Sequence, residues 1–364
     1  MLETCGTLLR IPFFLDVPRH LMDMMPLPNP KTRWFMNAAE AGATLGKFAQ
    51  WGVPESLIQT ILQPANRTQF GNLIVFFPPP AEVVALDPAV RAAVYEELRR
   101  FPHNDEITSP LVFTGGEDIL GWFAGTHLRP ELVRLIERLA YPRHGALAFS
   151  DASLVMGQTH GESEARQVMA ALLRTRSLLL KVAIDPDSDA AAIGSHWARG
   201  PADRGWEITS LLASWCDTHT ASSFDATHLL PKIPRMLLYT FPNLSMTLDG
   251  GLPDAHWTSL NFFSTQPGPV FLDPALGAAA ITEEMDPIDP PYQFGDILAF
   301  QGGHERRKTY HSCVYVADDI VFTKNGSKPT APWVLQEWSD LKKIQLGGAG
   351  DSIQGYRRRT EPAR

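Results

Sequence analysis

Short apolar runs separated by proline-rich breaks dominate the chain, with thirty prolines among 364 residues. The pattern predicts helices over Asn37–Trp51, which is Ala-rich, and over Pro54–Leu62, with proline in the first turn. Asp87-Pro88 and Arg129-Pro130 open two more, through Arg100 and Leu139, by the same preference for proline at the first helical position. Gly161–Leu173 and Trp206–Cys216 also read as helices. Uninterrupted apolar runs predict buried strands at Asn72–Phe77, ended by three prolines, and at Arg176–Ile184, ended by Asp185-Pro186. The first forty residues are Pro-rich and are expected to wrap irregularly. Ser222–Pro234 has the composition of a connector, so a boundary is expected near 220. Residues 1–220 then form an N-terminal mixed α/β region of unknown role, and 221–364 a second domain.

From Leu237 the pattern changes. Leu237–Thr240 is a short apolar segment, and turn chemistry at Asp249-Gly250-Gly251 leads to Pro253-Asp254-Ala255-His256-Trp257. Asp254 is a good N-cap residue, so a helix is predicted from Ala255. Phe294–Phe300, His311–Ala317 and Ile320–Thr323 read as three successive strands, the last two joined by Asp318-Asp319 as a two-residue turn. Trp333–Leu341 is predicted to be helical, and Ser352–Arg357 to add an edge strand. The fold class expected is α+β.

This order of elements can carry thiolate chemistry. A thiolate nucleophile needs a lowered pKa, a neighbouring imidazole and donors for an oxyanion. A helix start helps with the first and third through its free N–H groups and dipole. Position 255 lies in such a first turn, and His311 opens a strand that could bring the imidazole. A third polar group should orient the ring. Thr323 and Asn325 share one face of the hairpin partner and either could serve. Asparagine has the better acceptor carbonyl, whereas Lys324 is donor-only and unsuited. Asp254, His256 and Trp257 are the candidates for substrate contact, although Trp257, Phe262 and Phe263 also suit a core.

These residues resemble the NlpC/P60 cysteine peptidases, a papain-like family that cleaves peptidoglycan stem peptides and related amides. Asp254-Ala255, Gly295-Asp296-Ile297-Leu298-Ala299-Phe300 and His311-Ser312-Cys313-Val314-Tyr315-Val316 match that family's motifs in order and spacing, over roughly 235–345. The resemblance implies a papain-like helix packed on an antiparallel sheet. It assigns the family's imidazole to His311 and its third residue, by spacing, to Thr323. The family's cysteine falls on Ala255, which has no nucleophile. As written, the chain is then an inactive amide hydrolase scaffold, either a natural pseudoenzyme or a Cys→Ala form of an active parent. The alternative is a non-catalytic module that binds a peptide or acyl chain.

Composition narrows the partners. A net charge of −8 argues against a general nucleic-acid binder, and 44% hydrophobic with 20% charged residues is ordinary for a globular chain. His304–Lys308 and Arg357-Arg358-Arg359 are expected to be solvated. Cysteines at 5, 216 and 313 cannot all pair, so no disulfide framework is expected. Cys216 and His219 are too few for a zinc site, and Gly115-Gly116-Glu117-Asp118 is too short for a phosphate cradle. No metal or cofactor is expected, and the oligomeric state is left open. No run approaches a membrane span. The visible sequence suits a cytoplasmic location, or a periplasmic or secreted one if an export signal was removed.

Overall fold

The computed structural model describes residues 5–116, 119–184, 188–200, 202–216, 222–243, 251–302, 308–348 and 350–359. They fall into two compact units, Pro18–Arg174 and, on either side of it in sequence, Met1–Val17 with Thr175–Arg364. The boundary expected near 220 therefore lies inside the larger unit. The N-terminal residues are not irregular either: Thr7–Leu15 form strand β1 of that unit. Its partner comes more than 150 residues later, so no local pattern could announce the pairing.

The smaller unit holds two three-stranded antiparallel sheets. Strands β2 (Trp34–Asn37), β3 (Arg67–Phe70) and β4 (Leu73–Phe76) lie in the order β2-β4-β3, and β5 (Leu111–Phe113), β6 (Tyr141–Arg143) and β7 (Ala146–Phe149) in the order β5-β7-β6. The five expected helices are present as Ala41–Gln50, Glu55–Leu62, Pro88–Leu98, Pro130–Leu139 and Glu162–Leu173. Asp87 caps its helix by accepting from the Ala89 N–H at 2.8 Å, with Pro88 behind it. Arg91 is fully buried and donates to the carbonyls of Val83, Leu86 and Arg138 at 2.8, 3.1 and 2.9 Å. Those carbonyls belong to two other helix ends, where unpaired oxygens and the dipole both favour a cation.

In the larger unit β8 (Thr175–Ile184) runs antiparallel to β1 from Leu15↔Thr175 to Thr7↔Ala183, and β9 (Ser222–Asp225) adds to its other side. The remaining strands are β10 (Met285–Ile288), β11 (Ile297–Gly302), β12 (Lys308–Ala317), β13 (Ile320–Lys324), β14 (Trp333–Glu337) and β15 (Ser352–Arg358). They form one antiparallel sheet in the order β10-β15-β11-β12-β13-β14. The class is thus α+β with antiparallel sheets. Two expectations are corrected here. Trp333–Glu337 is a strand paired with β13 along its length, and the helix begins only at Trp338, running to Gln345. β15 is not an edge strand but lies between β10 and β11.

Both faces of the six-stranded sheet are covered, which explains why its central strands read as continuous apolar runs. Ile297, Ala299 and Tyr356 pack against Leu260, Ala280 and Ile281, from the helices Ala255–Leu260 and Pro274–Glu284. Leu298, Phe300, Cys313 and Val321 pack on the other face with Leu341, from the helix Trp338–Gln345. The arginine run is paired, with Arg358 and Arg359 exposed as expected and Arg357 half-buried. Arg357 makes a two-pronged ion pair with Asp296, Arg358 donates to the Leu260 carbonyl and Arg359 meets Asp286. Among the described residues, no helix is long and apolar enough to cross a membrane. The Asp249-Gly250 turn, His219, Glu117-Asp118, Asp185-Pro186 and His304–Arg307 lie outside the described residues.

Candidate functional site

The helix expected at position 255 is present, spanning Ala255–Leu260. Asp254 caps it, accepting from the Trp257 N–H at 2.8 Å, and the Thr258 hydroxyl returns to the Asp254 carbonyl at 2.6 Å. Six residues make little more than one and a half turns, so the dipole at its start is small. Every residue from Ala255 to Leu260 is buried. Trp257 donates to the Gly268 carbonyl at 3.1 Å and lies in the core cluster with Phe262, Phe294 and Trp333. Asp254, His256 and Trp257, the substrate-contact candidates, are at most 8% exposed, with their polar groups turned inward.

Strand parity decides what faces this helix. In β12, successive side chains leave opposite faces of the sheet. Val314 and Val316 lie in the cluster that holds Trp257, so their face takes the Ala255–Leu260 helix. Ser312 shares that face. Its hydroxyl lies 3.1 Å from the Ala255 carbonyl, 3.0 Å from Ser259 Oγ and 3.0 Å from His256 Nδ1. A hydroxyl has one proton and two lone pairs. Its one proton is shared between the Ala255 carbonyl and Ser259 Oγ, and the oxygen accepts from His256 Nδ1–H, which sets the His256 tautomer. Although Ser312 and His256 have the contact distance of a nucleophile and its base, Ser312 is wholly buried and its hydroxyl is saturated. The pair is a clamp between helix and sheet.

His311 leaves the opposite face. It is paired across the ladder with Phe300, and the two rings meet edge to face at 5.4 Å. Phe300 in turn packs on Trp338 at 5.3 Å, in the layer away from Ala255. On this face Thr323 Oγ1 lies 3.2 Å from His311 Nε2. Thr323 and His311 are thus brought together; Ala255 and His311 are not. Asn325, the chemically preferred partner, instead donates from Nδ2 to Gln336 at 2.9 Å. Burial, with a smaller contribution from His256, drives His311 down to about 3, so the ring is neutral at ordinary pH. Burial likewise lowers His256, against the pull of the Asp254 charge.

Lys324, set aside in the sequence, is a central feature on the helix side. Its ammonium is fully buried, donates to the Gly326 and Lys328 carbonyls at 2.5 and 3.2 Å, and lies 5.7 Å from the Trp333 ring. Desolvation brings it down to about 7, opposed by the nearby Asp254 charge. Ser312 and Lys324 carry no motif of their own. Their signal was the apolar Val314–Val316 and Phe322 pattern, which fixes the face that Ser312 and Lys324 share.

The Gly-Asp motif has a packing role. Gly295 has φ +92°, and a Cβ there would come 2.3 Å from the Phe263 ring. Asp296 is 3% exposed and accepts from the Gln293 N–H as well as from Arg357. All three cysteines are free. Burial raises Cys5 to about 12 and Cys313 well above its usual range, so neither is a ready thiolate. Among the described residues no group of three His, Cys, Asp or Glu side chains is arranged to hold a metal. Compared with known proteins, the chain matches no family model, no curated protein and no solved structure.

Proposed function

We propose that the larger unit is a papain-like, NlpC/P60-type scaffold that works without catalysis, as a binding module for a peptide or acyl-amide ligand. The ordered motifs, the capped helix on an antiparallel sheet and the Thr323–His311 bond favour the scaffold. One observation carries the non-catalytic reading. The methyl of Ala255 and the His311 ring belong to opposite faces of the sheet, and each is under 5% exposed. A hydrolase would need both a thiol at 255 and passage of the imidazole to the other layer. An open cavity of about 350 Å³ offers the ligand a place away from that seam. Ile208, Leu211 and Trp215 give it an apolar wall, Arg235 offers a cation to a terminal carboxylate, His228 a ring nitrogen, and Glu207 an acceptor for a ligand amide N–H.

Ala255→Cys tests the reading. The new thiol is expected to react with iodoacetamide no faster than Cys216, and the variant to release no 4-nitroaniline from peptide anilides. Rapid labelling together with turnover overturns the non-catalytic reading and restores the hydrolase. N-octanoylglycine is expected to bind the unmodified protein, and about tenfold more weakly after Arg235→Ala, as for loss of one charge-assisted contact. No binding, or equal binding to both proteins, removes the assigned ligand surface.

A further inference from the structure

The smaller unit carries a cationic cleft that the reading of the larger unit leaves unused. The cleft is open and encloses about 460 Å³ between the helix Pro130–Leu139 and the residues Gln158 and His160. Glu131, Arg134, Leu135 and Arg138 recur at three- and four-residue steps, so one stripe of the helix supplies its wall. Leu132, which is buried, and Leu135, which is half-buried, add apolar surface. Arg129 precedes the helix and is already held. Its Nε and Nη2 clasp the Glu164 carboxylate, and Nη2 also donates to the Gln158 carbonyl at 2.8 Å. The same carboxylate accepts from the His160 N–H. Glu164 therefore ties the two sides of the cleft together, and the Arg129 guanidinium is oriented before any ligand arrives.

Charge decides what this cleft can hold. In a chain of net charge −8, its lining has three arginines against one glutamate. Glu164 offsets Arg129. Arg134 meets Glu131 at 3.3 Å, but the two side chains are 67% and 64% exposed, a pairing worth about 0–1 kcal/mol that a ligand can displace. Arg138 is exposed and pairs with no carboxylate among the described residues. The excess cation thus sits on Arg134 and Arg138, one helical turn apart. Guanidinium forks match phosphate oxygens, and a phosphoryl dianion with its three acceptor oxygens can engage two forks at once. We infer that this cleft binds a small phosphate monoester, its phosphoryl group on Arg134 and Arg138 and its organic part along Leu132 and Leu135. Gln158 and His160 add side-chain donors from the other wall, and Glu131 is left to accept from a hydroxyl or amine of the ligand. The volume lies within the range of small-molecule sites.

The test is a titration of the full chain with phenyl phosphate, inorganic phosphate and benzoate, by calorimetry and phosphorus NMR, at about pH 8, where phosphate monoesters are dianions. Phenyl phosphate is expected to saturate below about 5 mM, and inorganic phosphate to bind about three- to tenfold more weakly for want of a ring on Leu132 and Leu135. Benzoate, with a single charge, should be at least about tenfold weaker than phenyl phosphate. Arg134→Gln and Arg138→Gln keep good helix propensity at exposed positions, so both should fold, and each should weaken phenyl phosphate about tenfold. Arg19→Gln, at a 94% exposed arginine of the same unit, removes a charge outside the cleft and should change affinity less than about twofold. No saturation by phenyl phosphate up to about 20 mM overturns the site. Equal weakening by Arg19→Gln and Arg138→Gln also overturns it, because general attraction to positive charge then explains the binding. Equal binding of benzoate and phenyl phosphate removes the phosphoryl contact, and equal binding of the two phosphates removes the organic one; either result takes the inference with it.

Discussion

Ser312→Ala measures what the clamp between helix and sheet contributes. The substitution deletes one oxygen that meets three buried groups: Ala255 carbonyl, Ser259 hydroxyl and His256 Nδ1–H. Three orphans at about 1–3 kcal/mol each would suggest a loss near 6 kcal/mol. The geometry predicts less. Ser259 lies four residues after Ala255 in the helix, so its freed hydroxyl can rotate onto the Ala255 carbonyl, as serine does in helices. That leaves the His256 N–H as the one lasting orphan. The expected cost is about 2 kcal/mol, a Tm fall of about 4–8 °C for a unit of this size. Two further variants follow from the same geometry. Ser259→Ala should cost under about 1 kcal/mol alone, because Ser312 still holds the Ala255 carbonyl. Added to Ser312→Ala it should cost about 1–2 kcal/mol more than the sum of the singles, since no hydroxyl then reaches that carbonyl. Urea titrations followed by hydrogen exchange in 255–260 and 308–317 read the loss where it occurs. A Ser312→Ala cost below about 0.5 kcal/mol, or additivity in the double variant within about 0.3 kcal/mol, would refute the clamp.

Other outcomes follow from single contacts. Gly295→Ala should lower stability by about 3 kcal/mol or more, seen as a fall in Tm, because alanine is strained at φ +92° and its Cβ would overlap the Phe263 ring. Arg357→Ala leaves Asp296 buried without its two-pronged partner and should cost about 2–3 kcal/mol in urea unfolding, less than a wholly buried pair because the arginine is 38% exposed. Stability should also fall in acid. His311 sits at about 3 when folded and near 6.5 when unfolded, so the unfolded chain binds the extra proton between those values. Stability from this group is full above about pH 6.5 and declines toward pH 3, by at most about 4–5 kcal/mol. His311→Gln should flatten that part of the pH profile of the urea midpoint, and an unchanged slope would show that other groups carry it.

Much of the smaller unit was legible because its helices announce themselves locally. Asp87-Pro88 and Arg129-Pro130 put a boundary, a fixed φ and a cap within two residues, and the chain breaks where they say. The larger unit was less legible because its decisive pairings are distant. Nothing near Thr7–Leu15 marks it as the partner of Thr175–Ile184. Trp333-Val334-Leu335 suits a helix as well as a strand until β13 is known to lie beside it. The arginines at 357–359 look like an unpaired tail until β15 is placed inside the sheet, next to Asp296, Leu260 and Asp286.

The candidate site turned on a finer distinction, between the order of motifs and the face each residue takes. Order along the chain places a capped helix, a Gly-Asp turn and a His-led strand as a thiol hydrolase would. A strand has period two, however, so neighbours such as His311 and Ser312 serve different layers. The apolar partners decide between them. Val314, Val316 and Phe322 must meet the Ala255–Leu260 helix, and parity then hands that face to Ser312 and Lys324. His311 is left with Phe300, Cys313 and Thr323 on the other. Both layers are closed and hydrogen-bonded, so exchanging them is a register slip of one residue. Such a slip would expose the apolar set of β12 to the wrong layer, bury Tyr315 and Cys313 against Trp257, and break the Ser312 clamp together with the Thr323–His311 bond. A sheet covered on both faces resists that change far more than an edge strand would. A thiol introduced at position 255 would therefore lie in the layer of Ser312 and His256, not in that of the His311 imidazole, and labelling of Ala255→Cys reads which of the two histidines governs it: His256→Gln should alter the rate, and His311→Gln should not.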